Sequence, residues 1–549
     1  MVKKKDITNK IKKYLEDGII SAKNGNLEEA YFLFNRAISE DKQNFKAYIN
    51  LSNLEIIKGN FTQAINILKN YIDIFGFEIN IINHIGKICS NYKLDKDLLS
   101  LFEFCKINSK KIENKLYFLY FLKGIFLERE KNYKEAIQFY ELSIKCNSNF
   151  DTSYINILHL LEQTNKLEKF DFFLKESEKL ITSKDYNKYF YYFQSLLFTR
   201  IAKYKESLDI IEKFNLLIKF QNHHEIYLRL LNIISKNHEK IKNFKLAFEA
   251  ITKRNISLLN SKDNQKYEPK EIFDTIKKYK KFYTKKNVNY INAGIMKYPD
   301  INLLFLVGFP RSGTTLLDTI LRTHSRIKVL EEEPILYDCR KEFFESRNNN
   351  LLELKNITNV EKNKLRNNYF KKILPLLEKS QNTIIDKLPL SIIEIGFIRS
   401  LFPESKIILA LRHPCDVVLS CYFSHFTINH AMANFLNWEK TIDFYNKVFD
   451  LFEFYERELK INYFKIKYEN VVKNFKIEIS LLLEFLNLKY EEKLESFFLT
   501  AKKRDRISTP SYSQVINPLY ASSIGRWKDF KNIKNPELAL KKWINKFDY

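Results

Sequence analysis

Val307-Gly308-Phe309-Pro310-Arg311-Ser312-Gly313-Thr314-Thr315 is the stretch on which the reading of this chain turns. An apolar run, Ile301 to Leu306, precedes it and reads as a buried parallel strand. Leu316 to Leu321 follows and reads as the start of a helix. Strand, glycine-bracketed turn and helix make a phosphate cradle, because backbone N–H groups and the positive helix end converge on an anion. The spacing Gly308-xxxx-Gly313 is that of a nucleotide P-loop, but Thr314 stands where a Walker loop carries the lysine that grips the outer phosphates. Arg311 lies inside the loop instead. The pattern points to a phosphate-bearing donor that is not used as a Walker nucleotide.

Short apolar runs at Ile301–Val307, Thr383–Ile385, Lys406–Leu411 and Tyr463–Lys467 alternate with longer helical segments. That alternation predicts a parallel sheet flanked by helices. Ligands of open α/β sheets bind beyond the carboxyl ends of the strands. Arg311, Lys387 and Arg412 all fall at such ends, so three cations are expected around one crevice. Glu331-Glu332-Glu333 lies about twenty residues past the cradle, beyond the first helix. Ser420 falls eight residues after Arg412, on the helix that follows that strand.

The first ~250 residues repeat at a period of 34, the length of a helix-pair repeat. Ala30, Phe34 and Ala37 recur as Ala64, Leu68 and Tyr71, then as Leu98, Phe102 and Cys105. After a small slip come Ala136, Tyr140 and Ser143, then Phe170, Leu174 and Ser177, and less regularly Ser207, Ile211 and Phe214. Gly18 and Gly124 each precede the alanine of their own unit by twelve residues. The period and its small residues at helix crossings resemble tetratricopeptide repeats, each a helix pair that buries its apolar face against its neighbours. Residues 1–250 are therefore expected to form a helical solenoid, 251–296 a charged helical connector, and 297–549 the α/β domain.

At 549 residues, with 45% apolar and 29% charged content, the chain suits a folded protein of two or more domains. The net charge of +25 reads as a lysine-rich surface. No arginine-rich groove-reading helix or zinc-finger spacing is present, which argues against nucleic acid as a partner. None of the six cysteines forms a CxxC, and no histidine falls at metal-ligand spacing around them. The charged start, Met1-Val2-Lys3-Lys4-Lys5-Asp6, has no apolar leader after it, and no window reaches the ~18 apolar residues of a membrane span. The expectation is a reduced, cytoplasmic protein without a membrane span.

On these residues, 301–530 resembles a sulfotransferase that uses 3′-phosphoadenylyl sulfate. With its repeats the chain resembles the bacterial tetratricopeptide-repeat sulfotransferases and is similar to the tyrosylprotein sulfotransferases. The resemblance implies an α/β P-loop-type sulfotransferase domain after an all-α solenoid. It implies that Arg311, Ser312, Gly313, Thr314 and Thr315 hold the 5′-phosphosulfate, and that Arg412 and Ser420 hold the 3′-phosphate. Tyr468 matches an aromatic donor-binding position, and Gly525-Arg526-Trp527 resembles the segment that closes over the nucleotide. Glu332 falls on the family's catalytic base, with Glu331 and Glu333 as rivals. Lys387 and Ser511 fall on two positions that stabilise the transition state. Leu330 stands where relatives often carry glycine, and Arg526 where tyrosylprotein enzymes carry lysine. Ser424 stands where those relatives can carry a basic donor contact. The implied activity needs no metal and sulfates a hydroxyl on a peptide, a glycan or a small molecule, with the repeats recruiting the acceptor. The alternative is a repeat scaffold that binds nucleotide without catalysis.

Overall fold

The computed structural model describes residues 2–76, 78–92, 94–107, 116–183, 185–292, 301–345, 347–348, 350–502, 519 and 521–549. Contacts divide the chain into two units, Met1–Gln221 and Asn222–Tyr549.

The first unit is a run of antiparallel helix pairs. Val2–Lys23 packs on Leu27–Glu40, Phe45–Ile57 on Phe61–Phe75, and Ile79–Asn91 on Asp95–Ile107. Leu116–Arg129 then packs on Tyr133–Cys146, Asp151–Gln163 on Leu167–Glu176, and Asn187–Arg200 on Tyr204–Lys213. The repeating positions Ala30, Ala64, Leu98, Ala136, Phe170 and Ser207 are all buried. Helices meet at the predicted glycines: a Cβ on Gly18 would stand 2.5 Å from the Phe34 ring, and one on Gly124 2.6 Å from the Tyr140 ring. Gly124→Leu is therefore expected to cost about 2 kcal/mol by overpacking, read as a lower urea midpoint.

The second unit holds a five-stranded, all-parallel sheet in the order β2-β3-β1-β4-β5. The strands are β1 Asn302–Gly308, β2 Ile327–Glu331, β3 Thr383–Lys387, β4 Lys406–Leu411 and β5 Tyr463–Lys467. Strand β2 was not among the anticipated runs. It is an edge strand, where Lys328 and Glu331 interrupt the apolar signal. Both sheet faces are covered. Leu303, Phe305, Val307, Ile407 and Leu409 enter one apolar core, and Leu304, Leu306, Ile385, Ile408 and Ala410 the other.

The contact units and the expected divisions differ in two places. A division at 250 would cut the helix Phe244–Leu259, which pairs with His224–Lys240. That pair groups with the sheet because Phe248 stacks on Tyr422 and meets Trp438 edge-on, both in the α/β unit. The charged segment after it is core rather than connector. The helix Lys270–Phe282 buries Ile276, Tyr279 and Phe282, and Tyr283 lies so close that a Cβ on Gly396 would meet its ring at 2.3 Å. Among the described residues, no helix is long and apolar enough to cross a membrane.

Candidate active site

Because all five strands run parallel, their carboxyl ends share one edge, and the register sets which ends are adjacent. Glu331 pairs with Lys387, Gly308 with Ala410, and Leu411 with Lys467. Residues just past those ends are therefore neighbours: Glu332 beside Lys387, and Arg412 beside Tyr468.

The cradle joins β1 to the helix Thr314–Arg322. Two of its residues take left-handed backbone, Arg311 at φ 71° and Gly313 at φ 93°. Gly313 opens the helix without a side-chain cap, which makes its first turn a candidate anion site. Two close approaches require glycine. A Cβ on Gly308 would stand 2.7 Å from Ala410 O, and one on Gly313 3.0 Å from Tyr468. Ser312, Thr314 and Thr315 are buried in the turn.

The structure brings the proposed phosphate ligands together. Arg311 Nε donates to Ser420 Oγ at 3.0 Å, and Arg412 Nη1 to Arg311 O at 3.4 Å. The Arg412 guanidinium lies 5.1 Å from the centre of the Tyr468 ring and also donates to Ser523 O. Arg412 is buried, and its Nε has no hydrogen-bond partner among the described residues. A buried, unfilled guanidinium donor is a position for an anion, so these residues fit a phosphate-bearing donor.

The second half of the site is an ion-pair cluster. Lys387 ends β3 fully buried, and its Nζ lies 2.8 Å from Glu332 Oε1, 3.7 Å from Asp318 Oδ2 and 3.8 Å from Glu331 Oε1. Glu332 donates its own N–H to Lys387 O at 2.8 Å, which extends the ladder by one bond while its φ turns to 54°. That turn aims the side chain back at the lysine. Sequence reasoning missed Asp318, whose place one helical turn after Thr314 was the available signal.

Asp386, beside Lys387 in the chain, points to the other side of the strand and accepts from Tyr369 Oη at 2.7 Å. Burial pushes its carboxyl up to about 7. The folded protein thus holds a proton that the unfolded chain releases near pH ~4. Stability from that proton is present below pH ~4 and lost as the pH rises to ~7. Asp386→Asn is expected to remove this decline, on the order of 3 kcal/mol, in urea midpoints taken from pH ~4.5 to ~8.

One expected site residue cannot be located, and another has a different partner. Ser511 lies outside the described residues. Arg526 faces a carboxylate: its Nε and Nη2 reach Glu239 Oε1 and Oε2 at 2.6 and 2.7 Å, and it stacks on Phe423 at 4.7 Å. Its segment is nevertheless fastened beside Arg412. Asp416 accepts the N–H of Gly525 at 2.7 Å and of Trp527 at 2.9 Å. Asp416 and Glu239 were not anticipated; neither belongs to a pattern with meaning before the fold is known. Cys415 and Cys421 are buried packing residues whose thiols burial pushes up, that of Cys415 to about 12.

The model of the Sulfotransferase family matches residues 304–492, and a Tetratricopeptide repeat model matches residues 119–150. Residues 304–492 are thus similar to the Sulfotransferase family, and residues 119–150 to a tetratricopeptide repeat. It is 25% identical over 319 residues to an uncharacterized protein of Aquifex aeolicus (strain VF5), covering 56% of this chain and 40% of that protein. It is 22% identical over 235 residues to protein-tyrosine sulfotransferase A of Caenorhabditis elegans, covering 41% of this chain and 60% of that protein. The chain thus spans 40% and 60% of the length of these curated relatives. Among solved structures, the sulfotransferase domain from the Synechococcus PCC 7002 olefin synthase is 20% identical, covers 46% of this chain and 97% of that chain, and has a TM-score of 0.32.

Proposed function

We propose that the protein transfers the sulfuryl group of 3′-phosphoadenylyl sulfate to an acceptor hydroxyl. The observation that carries this reading is the 2.8 Å pair of exposed Glu332 and buried Lys387, set on the same sheet edge as a lysine-free anion cradle. When bound, the donor supplies an activated sulfur and a phosphate leaving group. The cradle from Arg311 to Thr315 holds the 5′-phosphosulfate, and Arg412 and Ser420 hold the 3′-phosphate. Tyr468 lies against Arg412 and the cradle, where an adenine or ribose would rest. Arg526 stays with Glu239, and its segment meets the donor side of the site through Ser523 and Arg412.

Glu332 takes the acceptor proton as general base. Lys387, and Ser511 by the family resemblance, hydrogen-bond the bridging oxygen as negative charge grows there. Fixed cations do this without reorganising at the moment of reaction, so positioning and electrostatics carry the rate. Protein tyrosine is the acceptor class carried by the name of the Caenorhabditis elegans relative, and sugar hydroxyls and small alcohols present the same O–H. The repeats recruit that acceptor. Incubation of the purified chain with sulfur-labelled donor and a mixed pool of tyrosine peptides, glycans and alcohols tests the reading. Labelled product that adenosine 3′,5′-bisphosphate suppresses and ATP does not is the expected result. No labelled product in any acceptor class refutes it.

A further inference from the structure

Behind Lys387 lies a carboxylate that the reaction as proposed does not use. Asp318 sits on the helix Thr314–Arg322 with no solvent exposure. Arg322, one turn on, holds its Oδ1 at 2.9 Å from Nε and 2.7 Å from Nη2. Its Oδ2 has no hydrogen-bond partner among the described residues and stands 3.7 Å from Lys387 Nζ. Burial raises the Asp318 carboxyl above its ordinary value, while the nearby Arg322 and Lys387 charges oppose that rise.

We propose that Asp318 is a positioning residue for sulfuryl transfer: its fixed carboxylate holds the buried Lys387 ammonium while Glu332 takes up the acceptor proton. The inference rests on the transfer reading above. In that step the acceptor oxygen forms a bond to sulfur as the bond from sulfur to the bridging oxygen breaks. The electron pair of the broken bond leaves with the phosphate, and the acceptor proton goes to Glu332. Glu332 is then neutral and no longer compensates Lys387. A fully buried ammonium without a counter-ion pays a heavy desolvation penalty, which favours losing its proton or moving. Either response would remove the cation just as charge develops on the bridging oxygen.

Asp318 prevents this for three reasons. It is fully buried, so its field at Lys387 is poorly screened. It meets Lys387 through Oδ2 while Arg322 takes Oδ1, so the lysine has an oxygen of its own. It lies on the cradle helix, so it ties the lysine's position to that of the phosphosulfate loop. Glu331 is a weaker substitute, because it is partly exposed and stands 3.8 Å away on the edge strand.

The test is Asp318→Asn beside Arg322→Gln in the full chain. Three quantities are read: turnover of labelled donor, donor KM, and binding of adenosine 3′,5′-bisphosphate by calorimetry. Asp318→Asn keeps the shape and removes the charge. It is expected to lower kcat about 10- to 100-fold, the scale on which loss of a supporting partner acts, with KM and binding within about threefold. Arg322→Gln removes the other partner of Asp318 and is expected to hold kcat within about threefold of the parent. Wild-type turnover in Asp318→Asn overturns the proposal, and so does an equal loss in Arg322→Gln, which would make Asp318 only half of a helix ion pair. If Asp318→Asn also loses binding, Asp318→Glu decides: recovery of binding and turnover together supports the proposal, and recovery of binding alone overturns it. A parent chain that binds the bisphosphate yet transfers nothing refutes the transfer reading, and this inference with it. An active parent with an indifferent Asp318→Asn refutes this inference alone.

Discussion

Glu332→Gln is expected to lower sulfate transfer about 10²- to 10⁴-fold, the range that a positioned general base supplies. Adenosine 3′,5′-bisphosphate should still bind, because none of the cradle's contacts runs through Glu332. The substitution keeps the shape of the side chain and removes its basicity. It also removes one carboxylate from Lys387, but Asp318 and Glu331 remain at 3.7 and 3.8 Å, so the lysine keeps counter-ions and the fold survives. The backbone adds a second reading. Glu332 sits at φ 54°, a left-handed conformation that costs a non-glycine residue about 1 kcal/mol. Glu332→Gly relieves that strain and should lose activity without a matching loss of stability, as expected where strain serves a site. Parallel assays of Glu331→Gln and Glu333→Gln separate the three acids. Unchanged kcat in Glu332→Gln, or an equal fall in Glu331→Gln, takes Glu332 out of the role of base.

The parts of this protein that were legible in its sequence are those that repeat or that punctuate strongly. The 34-residue period was readable because Ala30, Ala64 and, after a slip, Ala136 hold one buried position in the first, second and fourth helix pairs. The cradle was readable because both of its glycines are forced by close approach, Gly308 on Ala410 O and Gly313 on Tyr468. The central strands were readable because both of their faces are buried. Elements set by tertiary context were not. The turns inside the helix pairs take left-handed backbone at Gly25, Gly59 and Asn165, but also at Lys131 and Ala202, where no turn residue advertises them. The pair His224–Lys240 and Phe244–Leu259 looks like one more repeat until Arg254 is placed. That buried arginine donates to the carbonyls of Tyr422, Phe423 and Ser424 at 3.0 Å each, and so caps the helix that carries Ser420. A cation at a helix C-terminus meets unfilled carbonyls and the negative end of the dipole. Nothing local in the sequence assigns Arg254 to a helix ~165 residues further on. Arg526 shows the same limit, since a resemblance placed it on the donor and the fold gives it Glu239.

Arg412→Ala is expected to weaken binding of adenosine 3′,5′-bisphosphate about 10- to 100-fold, the loss of one charge-assisted contact of ~1.5 to ~3 kcal/mol. Adenosine 5′-monophosphate, which has no 3′-phosphate, should lose no more than about threefold. The difference between the two ligands is the informative quantity, because Arg412 also braces the fold. It donates to Arg311 O and Ser523 O, so its removal frees two carbonyls and loosens both the cradle and the closing segment. A general loosening would weaken both ligands alike; loss of a 3′-phosphate contact weakens only the one that carries that group. Arg412→Lys sharpens the test. It keeps the charge but not the fork whose Nε lies buried and unpaired, and it cannot lie flat on Tyr468, so it should recover only part of the affinity. Calorimetric titrations of the parent and both variants with each nucleotide measure all six constants. If Arg412→Ala binds the two nucleotides with equal losses, the 3′-phosphate has another ligand, and the discrimination between a sulfuryl donor and ATP must be sought elsewhere on the strand edge.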